Sequence, residues 1–359
     1  MYPRLIVDLD KVFCNVKQVV DLCGTFGISV CGVTKAVCGD PRIVQAFVDG
    51  GVASLGDSRL DHILRYKHLK LPKVLIRAPQ IQDAARVVEN VDVSVNTEIE
   101  AMKALEDACS RLGVRRHGVM LMVDLGDLRE GIIERREFEE AVRFIESSKH
   151  LFLYGVGANL NCLSFILPDE RKMDDLLSFV RLAGESVSVA DLVVSGGNSS
   201  NINLMRSGSM PSGVNSLRLG ESLLFGRERA GYDYLPGTHN DAFVLQAVIV
   251  ELKEKPSVPW GTSGVDSYGQ VHSYEDRGAR RRALLAFGHQ DIDTGVLWPI
   301  NESLRIIDSS SDYTVVDVTD SGERYRVGDV IEFRCGYHAV ARAFASPYID
   351  VIFANSFCL

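Results

Sequence analysis

Up to about residue 230 the chain alternates short β-branched runs with amphipathic stretches, and this alternation constrains the fold more than any composition does. Strand-like runs are read at Ile28–Thr34, Ala53–Gly56, Lys73–Arg77, Asp92–Asn96, Val119–Asp124, Leu151–Ala158, Asp191–Ser195 and Ser216–Leu219. Between them, Pro41–Asp49, Thr97–Leu112, Arg136–Ser147 and Asp169–Ser186 place apolar residues at i, i+3, i+4 and i+7, the period of a helix with one buried face. Asp40-Pro41 and Asn96-Thr97 are expected helix starts, each with a capping side chain before the first turn. Parallel neighbours need a helical crossover, so a βα unit repeated about eight times predicts a (β/α)8 TIM-type barrel. A doubly wound open sheet is the competing fold. Its usual GxGxxG turn is missing, since Gly155-Val156-Gly157 is followed by Ala158-Asn159.

Beyond about residue 235 the texture changes. Runs at Phe243–Glu251, Ala283–Phe287, Ser303–Ile307, Tyr313–Val318 and Val330–Cys335 alternate with turn signals, and helical periodicity fades. The expectation is a barrel over 10–234 and an all-β C-terminal domain over 235–359, with the strand in 1–9 joining the second domain. A length of 359 residues suits this division, at roughly 150 residues per domain. Lys plus Arg total 39 against 48 Asp plus Glu, so the net charge of −9 gives no general attraction for nucleic acid or anionic lipid. The apolar run Leu5–Val7 is cut short by Asp8, Asp10 and Lys11, so no signal peptide is expected, and no uncharged run reaches the ~18 residues that span a bilayer. The expected setting is cytoplasmic, with no membrane or nucleic-acid partner. The eight cysteines form no CxxC pair, sit mostly in apolar runs and read as buried free thiols, with no metal site expected.

In a βα barrel the site forms at the C-terminal ends of the strands. There the sequence places Lys35, Asp124 with Arg129 in the following loop, Asn159, the turn Ser195-Gly196-Gly197-Asn198-Ser199-Ser200, and Arg218-Leu219-Gly220-Glu221. Read alone, a lysine at a strand end is a solvated terminus and Gly-Gly-Asn-Ser-Ser is a flexible turn. Together they say more. Small residues let backbone N–H groups and hydroxyls approach a phosphate, and barrels commonly bind one at the loops after strands 7 and 8. A lysine on the same face, with apolar neighbours to lower its pKa, then reads as a Schiff-base lysine, and the pair suggests pyridoxal 5'-phosphate (PLP).

Val33-Thr34-Lys35-Ala36, the stretch Met122–Gly131, Gly196–Ser200 and Leu217-Arg218-Leu219-Gly220 resemble the alanine racemase family of PLP enzymes, fold-type III. Val123–Gly131, Ser195–Ser200 and Leu252–Pro259 resemble its ornithine racemase branch more closely. The resemblance implies that Lys35 carries the cofactor and is one of two catalytic bases. It implies further that Arg218 faces the pyridine nitrogen and that Ser199, Gly220 and the backbone of Glu221 hold the phosphate, with Asn159, Asn198 and Ser200 beside the cofactor. Arg129 then meets the substrate carboxylate. It also implies a homodimer acting on a small amino acid, here a basic one such as ornithine. Three family positions are altered: Met122, Asn159 and Gly39 stand where relatives carry a lysine, a histidine and a phosphate-contacting tyrosine. Arg129 then needs another partner, Asp124 or Glu130.

The second base is open. Racemisation moves a proton between two faces of one carbon, and the family's second base, a tyrosine of the partner's β-domain, aligns at or beside Trp260. Candidates are Asp266, Tyr268, His289 and Cys162. Asp266 also reads as a surface carboxylate or a site for a basic substrate's terminal ammonium, Tyr268 as turn packing and Cys162 as a buried thiol, while the resemblance places His289 where relatives carry an active-site tyrosine. Arg280-Arg281-Arg282 reads as a solvated basic turn, and Asp291 with Asp293 as a solvent-facing loop. Three other readings share parts of this set: a PLP-dependent decarboxylase of basic amino acids, a PLP-binding protein without turnover, and a cofactor-free aldolase that leaves Arg218 unexplained.

Overall fold

A computed structural model describes residues 2–184, 192–262, 264–265, 269, 271 and 273–354. The chain divides into two compact units, one formed by Leu9–Ala242 and the other by the residues up to Asp8 together with Phe243–Ala354. Strands and helices are numbered in chain order. The first strand, β1 (Arg4–Asp8), belongs to the second unit.

The first unit is a closed barrel of parallel strands in sequence order: β2 (Ser29–Val33), β3 (Ser54–Asp57), β4 (Lys73–Leu75), β5 (Val93–Asn96), β6 (His117–Val123), β7 (Leu151–Ala158), β8 (Val193–Ser195) and β9 (Ser216–Leu219). β9 returns to β2 with Cys31 opposite Arg218, which closes the ring. The strands read as near-continuous apolar runs because both of their faces are covered, and every residue of β6 is buried. Val74, Val93, Val95, Met120 and Met122 pack with Cys31 into one buried cluster. Met122 is therefore core.

Around the barrel run α1 (Leu9–Thr25), α2 (Pro41–Asp49), α3 (Leu60–Leu64), α4 (Ala84–Asn90), α5 (Ile99–Leu112), α6 (Arg135–Ser147), α7 (Glu170–Ala183), α8 (Ile202–Arg206) and α9 (Glu221–Phe225). α2 begins as its sequence requires, with Asp40 accepting the Arg42 N–H at 3.0 Å and Pro41 in the first turn, where a missing N–H costs nothing. The expected cap at Asn96 is not formed. Asn96 is buried at the end of β5 and donates to the Ser94 hydroxyl at 3.0 Å, and α5 starts at Ile99 without a side-chain cap. Burial of Asn96 in the barrel overrides its local preference.

In the second unit, β10 (Phe243–Pro256), β11 (Ala279–Leu285), β12 (Leu297–Pro299), β13 (Arg305–Ser309), β14 (Thr314–Asp317) and β15 (Val330–Cys335) form an antiparallel sheet ordered β12-β15-β10-β11-β14-β13. β1 lies between β10, to which it is antiparallel, and β16 (Asp350–Ala354), to which it is parallel. The unit is not all β. α10 (Tyr337–Ala345) buries Ala339, Val340 and Ala343, a spacing too short to stand out as a period in the sequence. Arg280–Arg282 is strand rather than turn: Arg280 pairs with Asp317 at 2.8 Å and with Asp320, and Arg281 donates to the Tyr325 carbonyl. Asp291 and Asp293 accept backbone N–H groups of Gly288 and Gly295. Among the described residues no helix is long and apolar enough to cross a membrane.

Candidate active site at the barrel mouth

Lys35 opens a single 3-10 turn directly after β2. Lys35 is exposed to solvent, yet the protein packed around it at the end of the barrel displaces much of its water. Desolvation is therefore the largest influence on it and lowers its pKa; Arg129 and Arg229 lower it further, while Cys162 and Asp57 oppose them. A lysine in this setting gives up its proton more readily than one on a helix surface.

Across the ring, the 7% exposed Arg218 on β9 donates through Nη2 to the Ala158 carbonyl at 2.7 Å and through Nη1 to the Ser195 hydroxyl. It has no carboxylate within ion-pair distance among the described residues. Burial lowers its pKa, with Cys31 and Glu130 opposing that. A buried guanidinium fixed by neutral acceptors is a charge held in place for something the chain itself does not supply.

The Gly196–Ser200 turn follows β8. Gly197 has φ 142°, and a Cβ there would come within 2.3 Å of Asn201 Oδ1, so only glycine fits. Asn198 Oδ1 accepts the Ser200 N–H at 2.8 Å, and its Nδ2 is shared among Asn159 Oδ1 at 2.8 Å, the Leu160 carbonyl at 2.8 Å and Cys162 Sγ at 3.3 Å. Asn159 and Asn198 therefore tie the loops after β7 and β8 together. Ser199 Oγ pairs with Ser222 Oγ at 3.1 Å and accepts the Ser222 N–H at 3.2 Å. The Ser200 hydroxyl is buried and has no protein partner. Gly220 caps α9, and the Glu221 side chain turns away to Arg227 at 2.7 Å, leaving only its backbone for a ligand.

In the loop after β6, Arg129 is paired to Glu130 and not to Asp124. Asp124 is occupied by the loop itself, accepting from Gly126 N at 2.8 Å and Leu128 N at 3.2 Å. The sequence reading missed a role for Asp127. It is 2% exposed and accepts the backbone N–H groups of Cys162, Leu163 and Ser164 at 3.0 to 3.2 Å. Those partners lie 35 to 37 residues further on, so the only available signal was an aspartate in a glycine-containing loop. Asp127 thereby holds Cys162 at the mouth.

Of the four candidate second bases, Cys162 is the one the described barrel brings to Lys35. His289 lies in the second unit, where its ring faces Thr294 Oγ1 at 3.1 Å and its carbonyl accepts from Arg342. Asp266 and Tyr268 lie outside the described residues. Among the described residues, no group of three His, Cys, Asp or Glu side chains could hold a metal ion.

A family model described as alanine racemase, N-terminal domain, matches residues 7–228. The chain belongs to the alanine racemase family. It is 41% identical to an ornithine racemase of Acetoanaerobium sticklandii over 98% of this chain and 99% of that protein. It is 34% identical to a lysine racemase of Thermotoga maritima over 99% of each. The fold matches alanine racemase from Clostridium difficile, with a TM-score of 0.75 at 15% identity over 99% of this chain and 96% of that one. It also matches the Bartonella henselae alanine racemase, a structure with covalently bound pyridoxal phosphate, with a TM-score of 0.72 at 15% identity over 98% and 99% of the two chains. The family's cofactor suits the residues present. The partnerless Ser200 hydroxyl lies in a turn where glycine permits close approach, and Lys35 and Arg218 are cations disfavoured by desolvation that form no ion pair among the described residues.

Proposed function

We propose that this protein is a PLP-dependent racemase of a basic amino acid, with ornithine as the first candidate and lysine the second. The observation that carries the reading is the pairing, on one barrel mouth, of a lysine with a lowered pKa and a Gly-Ser turn that presents a buried hydroxyl without a partner. Support for the substrate class comes from the two relatives named for ornithine and lysine. Ser199, Ser200 and the backbone of Gly220 and Glu221 would hold the cofactor's phosphate, Lys35 its aldehyde carbon, and Arg218 would face its ring nitrogen.

When bound, PLP supplies an electron-withdrawing ring that makes the substrate's Cα–H acidic. Lys35 Nζ takes and returns that proton on one face, which desolvation favours by disfavouring the ammonium. Arg218 keeps its protons at neutral pH and gives none to the ring, which favours return of the proton at Cα over further chemistry. Arg129, oriented by Glu130, meets the substrate carboxylate. For the opposite face we propose Cys162 Sγ, positioned by Asp127 through its backbone N–H and by Asn198 through the sulfur. A homodimer in the cytoplasm is part of this reading, and the dimer rests on the family resemblance.

The test is proton NMR and chiral chromatography of the purified protein with L-ornithine in D2O, with lysine and alanine in parallel. Loss of the Cα proton with appearance of the D-isomer is expected for ornithine or lysine. Release of carbon dioxide, or bound PLP without any exchange, overturns the reading. Cys162→Ala is expected to lower racemisation about a hundredfold while one enantiomer still exchanges its Cα proton.

A further inference from the structure

The turn that carries Lys35 is fastened to one buried acid. Thr34, the residue before the lysine, is fully buried and stands at the N-cap of the turn, yet its hydroxyl does not cap it. Thr34 Oγ1 instead donates to Asp57 Oδ2 at 2.7 Å, at the end of β3, and Thr34 N donates to the Gly56 carbonyl at 2.9 Å. The Thr34 carbonyl in turn accepts the Val37 and Gly39 N–H groups at 3.1 and 3.3 Å, so the turn hangs from this residue. A threonine hydroxyl in such a place ordinarily bonds the free N–H groups of its own first turn. Here it holds the turn against the neighbouring strand.

Asp57 is fully buried, and its other oxygen accepts the Arg59 N–H at 2.9 Å and lies 3.0 Å from His62 Nδ1. That bond is the first of the influences that push His62 up to about 9, so the two form an ion pair at neutral pH. α3, which carries His62, also meets the far end of the turn. A Cβ on Gly39 would lie 2.6 Å from the His62 carbonyl, and Arg65 Nη1 donates to the Cys38 carbonyl at 2.9 Å. Tyr66, fully buried as well, places its hydroxyl 3.2 Å from Thr34 Oγ1. An ion pair taken out of water stabilises a fold no better than packed apolar side chains of the same volume. A pair kept one hydrogen bond away from the residue before Lys35 therefore points to a use in geometry.

We propose that Asp57 is the positioning residue for Lys35: through the Thr34 hydroxyl it fixes the turn so that Lys35 Nζ is presented at the barrel mouth in one orientation, with His62 holding the carboxylate in place. The inference rests on the reading of Lys35 as the residue that carries PLP. Asp57 and Thr34 have no exposed surface, so they act on the chemistry only through the placement of the lysine. Misplacing a reacting group by about 1 Å can lower a rate by about a hundredfold. A loosened turn therefore shows in rates at Lys35 before it shows in binding.

The test incubates the full-length protein with PLP, reduces samples with borohydride at timed intervals and follows the Lys35 adduct by peptide mass spectrometry, with racemase kinetics beside it. Thr34→Val keeps the branched shape and removes the hydroxyl, whereas Thr34→Ser keeps the hydroxyl. Tyr66→Phe removes a hydroxyl from the same network and leaves the bond between Thr34 and Asp57 intact. Thr34→Val is expected to slow adduct formation by about tenfold or more and to lower kcat with KM unchanged, while Thr34→Ser and Tyr66→Phe form the adduct within about twofold of the unaltered rate. An unaltered rate in Thr34→Val overturns the proposal, as does an equal slowing in Tyr66→Phe, which would mark a merely structural network. Should Thr34→Val fail to fold, Asp57→Asn, which preserves shape and weakens the same bond, carries the same expectation and the same refutation. An unaltered protein that forms no Lys35 adduct overturns the PLP reading and this inference with it, a result unlike any of the others.

Discussion

Two histidines of the same barrel titrate in opposite directions. His62, at the mouth, is raised to about 9, while His117, at the start of β6, is lowered to about 4. Burial works against the imidazolium in both. At the mouth it is outweighed by Asp57, a carboxylate so enclosed that water does not screen it; at the other end His117 has mainly neutral surroundings, with Ser94 Oγ 2.9 Å from Nε2. The charged ring lies beside Asp57 near the barrel mouth and the neutral one is packed into the base, so the two ends of the strands place different demands on the same side chain.

The largest expected effect separates these roles. Lys35→Ala should lower racemase turnover by about a thousandfold or more with little change in the denaturant midpoint, because its side chain fills no part of the core. A large loss of stability would show that the mouth is also structural. Next, Asp57→Asn should bring His62 from about 9 back toward 6.5, followed by NMR titration of the ring. A pKa that stays near 9 would show that Cys38, not Asp57, sets the charge.

At the base the effects are on stability. His117→Ala removes a fully buried ring and should cost about 2 to 4 kcal/mol in urea unfolding, with kcat per folded molecule unchanged. The pH dependence sharpens the contrast. His117 binds its proton less well folded than unfolded, so its contribution is complete above pH 6.5 and is lost as pH falls toward 4, about 3 kcal/mol in all. His62 does the reverse: its contribution is complete below pH 6.5 and fades as pH rises through about 9. His117→Gln should flatten the acid limb of the stability profile alone, and His62→Gln the alkaline limb alone.

What the sequence showed of this site follows a physical division. Lys35 and the Gly196–Ser200 turn were legible because strand ends in a repeating βα pattern locate a mouth, and because glycine and serine in one turn have few other uses. Arg218 was legible for the same reason. Asp57, His62 and Asp127 were not: Asp57 meets His62 only five residues on, where an aspartate at the end of a four-residue strand reads locally as a cap, and Asp127 acts on a loop 35 to 37 residues further along the chain. Asn96 shows the converse error: a residue with a strong local preference was claimed by the barrel core. In the second unit, β10 and β15 announced themselves by alternation, whereas α10, with one short apolar face, did not.

β1 pairs with β10 and β16, strands that begin at Phe243 and Asp350, so a strand made before the whole barrel finds its neighbours only after it. During synthesis it must wait on the order of ten to fifty seconds for Phe243 to be added at usual elongation rates, while every strand of the barrel is completed in the interval. The ring thus has time to close before the sheet can start.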